Sequence, residues 1–140
     1  MKTKPLLTLD DVNALLAGAQ AEAIANGWKV SIAVCDDGGH LLGFLRLDDA
    51  PIVSATIAIE KARTSIIGRR SSKAYEDMVA GGRMAALSMP MVTHLEGGEP
   101  IVTSGAFVGA VGVSGVKSSE DAQIARAGIA TWRTKMGAPE

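Results

Sequence analysis

Apolar residues return every three or four positions between Val12 and Ile24, at Val12, Leu15, Leu16, Ala19, Ala23 and Ile24, the spacing that gathers side chains on one face of a helix. Thr8 precedes this run as an N-cap, Asp10 and Asp11 complement the dipole in the first turn, and Gly27 stands where a left-handed C-terminal cap belongs. The period then falls to two. Val30, Ile32 and Val34 alternate with Lys29, Ser31, Ala33 and Cys35, which predicts a strand with one face fully buried. Asp36-Asp37-Gly38-Gly39 turns the chain, and His40 to Leu47 returns as a second strand to complete a hairpin.

Asp48-Asp49-Ala50-Pro51 opens a second helix, with Ile52, Ala55, Ile59, Ala62 and Ile66 as its buried stripe and Gly68 at its end. Ser71-Ser72 restart a helix towards Leu87 that buries Tyr75, Met78, Val79 and Ala86, and Gly81-Gly82 weaken it near the middle. Met89-Pro90-Met91 breaks the pattern. Val92 to Gly98 reads as a loop with room for one short strand. Gly97-Gly98-Glu99-Pro100-Ile101 and Gly105 to Gly115 then read as two buried strands around a tight turn. Strands so poor in side chain need something close against them, whether another backbone, a neighbouring subunit or a ligand. Ser118 opens the last helix, with Asp121 as its capping-box partner and Ala122, Ala125, Ile129 and Trp132 along one side. Strands in hairpins with helices between them predict one α+β domain, residues 1–140, whose helices cover an antiparallel sheet.

Composition narrows the function classes. A chain of 140 residues with 47% hydrophobic and 21% charged positions folds as one domain with a real core. Its net charge of -1 and 14 scattered Lys and Arg, of which only Arg69 and Arg70 are adjacent, exclude a nucleic-acid surface. One cysteine, Cys35, cannot close an internal disulfide. No apolar run reaches the roughly 18 residues of a membrane span, and the start of the chain lacks a long apolar segment, so the expected location is cytoplasmic.

Three blocks carry a resemblance. Val34-Cys35-Asp36-Asp37-Gly38-Gly39-His40-Leu41-Leu42 leading to Phe44-Leu45-Arg46-Leu47-Asp48 is the first, and Ile57-Ala58-Ile59-Glu60-Lys61-Ala62-Arg63-Thr64 the second. The third joins Gly97-Gly98-Glu99-Pro100-Ile101 to Gly109-Ala110-Val111-Gly112-Val113-Ser114-Gly115. Together, and in this order, they closely resemble the GlcG/HbpS-like family over roughly residues 8 to 132. The resemblance implies a five-stranded antiparallel sheet with helices on both sides, a profilin-like arrangement, and assembly into homo-oligomers. It also implies haem as a ligand for many members and a place in catabolic operons for others. One departure concerns Glu99, since the position after the paired glycines is usually apolar in the family.

Haem requires an apolar slot, an axial ligand and cations for its propionates. His94, just ahead of the glycine-rich stretch, is the better axial candidate; His40, Tyr75, Cys35 and the methionines are the others, and Arg63, Arg69 and Arg70 are further cations. Arg46 lies in an otherwise apolar strand and Lys61 on an alanine-rich helix. A cation at the edge of an apolar layer needs either an internal partner such as Asp36 or Asp48, or a ligand carboxylate. In the second case Arg46 and Lys61 clamp a haem propionate or a small organic acid against Gly97 and Gly98. Glu99 is then placed to act as a general base, with His94 as the other proton carrier, if the surroundings raise its pKa. Glu96 and Glu99 stand three apart, but an irregular glycine segment gives them no shared direction, so surface carboxylates are the simpler expectation and no metal site is assigned. The readings carried forward are a haem-binding or haem-handling oligomer, a cofactor-independent enzyme moving a proton on a small organic acid, and a non-catalytic assembly domain.

Overall fold

The computed structural model describes residues 1–91 and 93–140. The elements follow in the order α1 (Leu9–Ala25), β1 (Ser31–Asp36), β2 (Leu41–Arg46), α2 (Ser54–Gly68), α3 (Lys73–Ala80), a 3₁₀ turn at Met84–Ser88, β3 (Gly98–Thr103), β4 (Ala106–Ser114) and α4 (Ser118–Met136). The strands form one antiparallel sheet in the spatial order β2-β1-β4-β3. Four strands among the described residues correct the expectation of five. Where the additional short strand was expected, Thr93 to Glu96 bond to side chains instead of to a neighbouring strand. Thr93 N–H donates to Thr64 Oγ1, Ser72 Oγ donates to the Leu95 carbonyl at 2.5 Å, and Glu96 N–H donates to Glu76 Oε2. Val92, the first residue of the segment read as a loop with room for a short strand, lies outside the described residues.

Helices α1 and α4 pack together on one face of the sheet and α2 covers the other. The α1/α4 side holds the larger core, where Leu15, Ile32, Val34, Ile101, Val111, Val113 and Ile124 are fully buried and Trp132 nearly so. Each such side chain contributes roughly 1.5–3 kcal/mol through burial. Thr8 caps α1 as its sequence predicts, and Asp11 makes the cap a full capping box: Asp11 N–H donates to Thr8 Oγ1 and Thr8 N–H to Asp11 Oδ2 at 2.7 Å. The other Asp11 oxygen accepts from Trp132 Nε1 at 2.8 Å, so one residue both closes the first turn of α1 and fastens α4 to it.

The α2 side is built on small residues. Cys35, Ala110 and Gly112 lie beneath Ala58, Ala62 and Ile66. A Cβ added at Gly112 would meet Ala62 N at 2.5 Å, and Ala58 O closer still. One added at Gly98 would collide with the Lys61 carbonyl. The close neighbour that the glycine-rich strands require is therefore the backbone of α2. This contact also corrects the expected stripe: α2 buries Ser54, Ala58, Lys61, Ala62, Ser65 and Ile66, while Ile52 precedes the helix and is 83% exposed. A strand without side chains accepts only a helix face that is equally bare.

Helix α3 ends at Ala80, where Gly81 caps it and Gly82 takes φ +95°, so the paired glycines divide the expected helix from the 3₁₀ turn. At α4 the cap differs from expectation. Lys117 N–H donates to Glu120 Oε1, while Asp121 turns inward.

Candidate functional site

Residues Thr93 to Glu99 approach the sheet between α2, α3 and the 3₁₀ turn. Thr93 Oγ1 donates to Glu60 Oε2 on α2 at 2.5 Å, and Ser72 Oγ accepts from Gly98 N–H at 2.8 Å. These bonds hold the segment at both ends. His94, half-buried between them, places Nε2 at 2.8 Å from the Ala86 carbonyl. A carbonyl only accepts, so Nε2 carries a proton, and in the neutral ring the lone pair is on Nδ1. Tyr75 meets the imidazole edge-on, with centroids 6.0 Å apart and planes at 87°, and the Arg70 guanidinium lies 5.8 Å from the Tyr75 ring. Around this group Met84, Leu87 and Leu95 are exposed. One face of the molecule thus combines an imidazole whose Nδ1 has no hydrogen-bond partner among the described residues, a neighbouring cation and apolar side chains open to solvent.

Lys61 has a different role from the one its sequence setting suggests. Its ammonium is 3.0 Å from Asp121 Oδ2 and 3.0 Å from the Val113 carbonyl, and both side chains of the ion pair are 2% exposed. Asp121 Oδ1 accepts from Val116 N–H. The internal partner is therefore Asp121, in place of Asp36 or Asp48. Burial pushes the Asp121 carboxyl above the usual carboxylate range, and Lys61 acts against that rise. Gly97, at φ +132°, is pressed against this ammonium: an added Cβ would lie 2.8 Å from Nζ and 2.7 Å from the Val113 carbonyl. Gly97 and Gly98 are both buried, and the space in front of them belongs to Lys61 and α2.

Glu99 follows Gly98 in β3, so its side chain points away from α2. Its carboxylate takes hydrogen bonds from Ser71 Oγ at 3.0 Å and from Arg126 Nη1 on α4 at 3.3 Å. With 13% side-chain exposure it is more enclosed than the expected surface carboxylate, and burial raises its pKa despite both donors. Arg46 stands on β2, the opposite edge of the sheet from β3, and among the described residues makes no hydrogen bond or ion pair. The structure brings Lys61 to Gly97 and Gly98 but separates it from Glu99, and it brings Arg46 to neither. The expected clamp of Arg46 and Lys61 facing Glu99 does not form within one chain.

Cys35 is buried in β1, its thiol pushed up to about 12 chiefly by burial, as an unreactive core cysteine requires. His40 is exposed after the first turn. Among the described residues no three His, Cys, Asp or Glu side chains converge as a metal site. Sequence reasoning missed Asp121 and Arg126 as partners of the named residues. Two acids in the first turn of α4, Glu120 and Asp121, were the available signal, because one suffices for the cap.

Residues 7–130 match the model of the family described as haem degrading protein HbpS-like. Protein GlcG of Escherichia coli K12 is 53% identical over 114 residues, 81% of this chain and 85% of that protein. The structure of Streptomyces reticuli HbpS, solved as a double mutant, superposes with a TM-score of 0.84 at 31% identity, covering 93% of this chain and 89% of that one. A PduOC:heme complex superposes with a TM-score of 0.82 at 26% identity, covering 91% and 95%. With a family model spanning most of its length and a relative 53% identical over 81% of it, this chain belongs to the HbpS-like family.

Proposed function

We propose that this protein binds or handles haem as a homo-oligomer in the cytoplasm, with His94 as the axial ligand. The observation that carries the reading is the state of the imidazole. Nε2–H is spent on the Ala86 carbonyl, so in the neutral ring Nδ1 is the nitrogen that can ligate, the arrangement in which a metal-ligating histidine is held by its outer hydrogen bond. Tyr75 packed edge-on restricts ring rotation, and Arg70 beside Tyr75 offers a cation for a propionate, with Arg69 following it in the chain. Met84, Leu87 and Leu95 supply apolar surface for the macrocycle. The donor set therefore fits haem, and bound haem would supply the redox chemistry of its iron. Membership of a family named for haem degradation, and a fold shared with a PduOC:heme complex, support the same ligand.

Titration of the purified protein with hemin tests the reading. A shifted Soret band that saturates, and that His94→Ala weakens, is expected. Hemin binding no stronger than to an unrelated protein rejects it.

A second reading rests on Glu99. Its enclosed carboxyl, raised by burial and set between Ser71 and Arg126, suits a general base acting on a small organic acid without a cofactor. Arg126 is the cation at hand for the substrate carboxylate. Among small hydroxy- and keto-acids, a substrate turned over by the parent and not by a folded Glu99→Gln variant would support this reading, and equal turnover would remove Glu99 from the mechanism.

A further inference from the structure

The sheet has two edges, and the chain treats them differently. Along β3 most of the outward-facing groups are dealt with. Gly98 donates its N–H to Ser72 Oγ and accepts from Ser72 N–H at 2.9 Å, Pro100 has no N–H, and the Val102 carbonyl accepts from Arg133 Nη2 at 2.6 Å. Thr103 Oγ1 and Ser104 N–H donate to the Pro139 and Glu140 carbonyls. Proline and its own chain thus block most of this edge.

Along β2 the closure is missing. Leu47 N–H donates to the Val30 carbonyl at 2.9 Å, so Leu45 and Gly43 also face β1 with their hydrogen bonds, and Phe44 and Arg46 turn theirs outward. Among the described residues nothing takes up those outward groups. A bulge at Leu42 interrupts the ladder at one end, leaving Gly43 to Leu47 regular. Leu41, Leu42 and Phe44 are 48%, 41% and 36% exposed, and neither proline nor lysine guards the strand.

We propose that β2 pairs antiparallel with β2 of a second copy about a two-fold axis, in the register that sets Phe44 opposite the partner's Arg46. Two identical strands close a two-fold pair without any further component. This register occupies the outward N–H and C=O of Phe44 and Arg46 on both copies, four residues in all. It lays the Arg46 guanidinium, which has no ion pair of its own among the described residues, over the partner's Phe44 ring. On the other face Leu45 meets the partner's Leu45. The neighbouring registers are worse. A shift one way sets Arg46 against the partner's Arg46, like charge on like charge, and a shift the other way sets it against the bulge at the partner's Leu42. The interface deepens the oligomer part of the reading above and is independent of haem.

The test is a cysteine placed on the axis. Leu45→Cys, in the close non-hydrogen-bonded position of the proposed pair, is expected to give a disulfide-linked dimer on mild oxidation, whereas Thr56→Cys, exposed on α2, is not; Cys35 is buried and does not compete. Arg46→Glu, checked for fold by circular dichroism, is expected to weaken the dimer at least tenfold in sedimentation equilibrium. A parent protein that sediments as a monomer overturns both the oligomer and this interface. An oligomeric parent whose Leu45→Cys variant cross-links no more than Thr56→Cys overturns the β2 interface and leaves the oligomer on another surface.

Discussion

The Lys61–Asp121 pair invites a measurement of what an enclosed ion pair does for this fold. Both side chains are 2% exposed and 3.0 Å apart, so removing one partner strands the other charge away from water. That costs about 3–5 kcal/mol, roughly 10² to 10⁴-fold in the folding equilibrium. Against a total stability of about 5–15 kcal/mol for a domain, either loss is severe. In Lys61→Met the Asp121 carboxylate keeps only Val116 N–H, and in Asp121→Asn the amide oxygen can accept from only one of the Lys61 ammonium and Val116 N–H, while its NH2 meets the other donor. Lys61→Met with Asp121→Leu removes both charges and leaves the Val113 carbonyl and Val116 N–H unpaired, at about 1–3 kcal/mol for each. The double variant is thus expected to lose less than the sum of the singles, with a coupling of at least about 2 kcal/mol. Urea unfolding followed by circular dichroism reads all of these. The Lys61→Met defect also carries a pH sign. Lys61 opposes the rise in the Asp121 pKa, so without it the carboxyl is protonated in the folded state to higher pH. A raised carboxyl stabilises the fold below its unfolded pKa and loses that contribution as pH climbs through the folded value, so the defect should deepen from acid towards neutral pH. Additive single losses below about 1 kcal/mol each, with no pH trend, would refute the account.

Other expectations follow from the same geometry. Gly112→Ala places a methyl against Ala62 N at 2.5 Å, and should destabilise at or beyond the upper end of the ~1–3 kcal/mol typical of overpacking; a melting temperature within a degree or two of the parent's would contradict the close contact of α2. Glu99 has a raised carboxyl pKa, mainly through burial, so its stabilising contribution is present at acid pH and declines as pH rises through the folded value. Comparing Glu99→Gln with the parent by thermal melts from about pH 4 to about pH 8, a range that starts near the ordinary glutamate pKa, should show the parent losing ground with rising pH, and the opposite slope would rule this out.

Local signals were the legible part of the sequence. Thr8 with Asp11, Gly27 past the end of α1, and Gly81-Gly82 dividing α3 from the 3₁₀ turn each act within a few residues of where they stand. The buried face of α2 was not legible from its own residues. Its isoleucines carry the stronger hydrophobic signal, yet Ala58 and Ala62 face the sheet because Gly112, fifty or more positions later, offers no side chain to pack against. Lys61 and Asp121 are 60 residues apart, and the natural local reading of Asp121 as a cap masked the longer connection. Arg46 and Glu99 were set together because hairpins can be read from sequence and strand order cannot. The order β2-β1-β4-β3 sends them to opposite edges. His94 was visible as a candidate, but the Ala86 carbonyl that fixes its proton was not.

The contact of α2 with Gly98 and Gly112 also bears on how such a chain can diverge. Where main chain rests on main chain, no compensating exchange of larger for smaller residues is open to either side, so these positions admit almost no drift. The segment leading into β3 inherits that constraint at its end, where Gly97 and Gly98 meet Lys61 and α2, while Thr93 fastens its start to Glu60 and Thr64. Two relatives can therefore keep this junction unchanged and differ in everything that His94, Tyr75 and Glu99 do here.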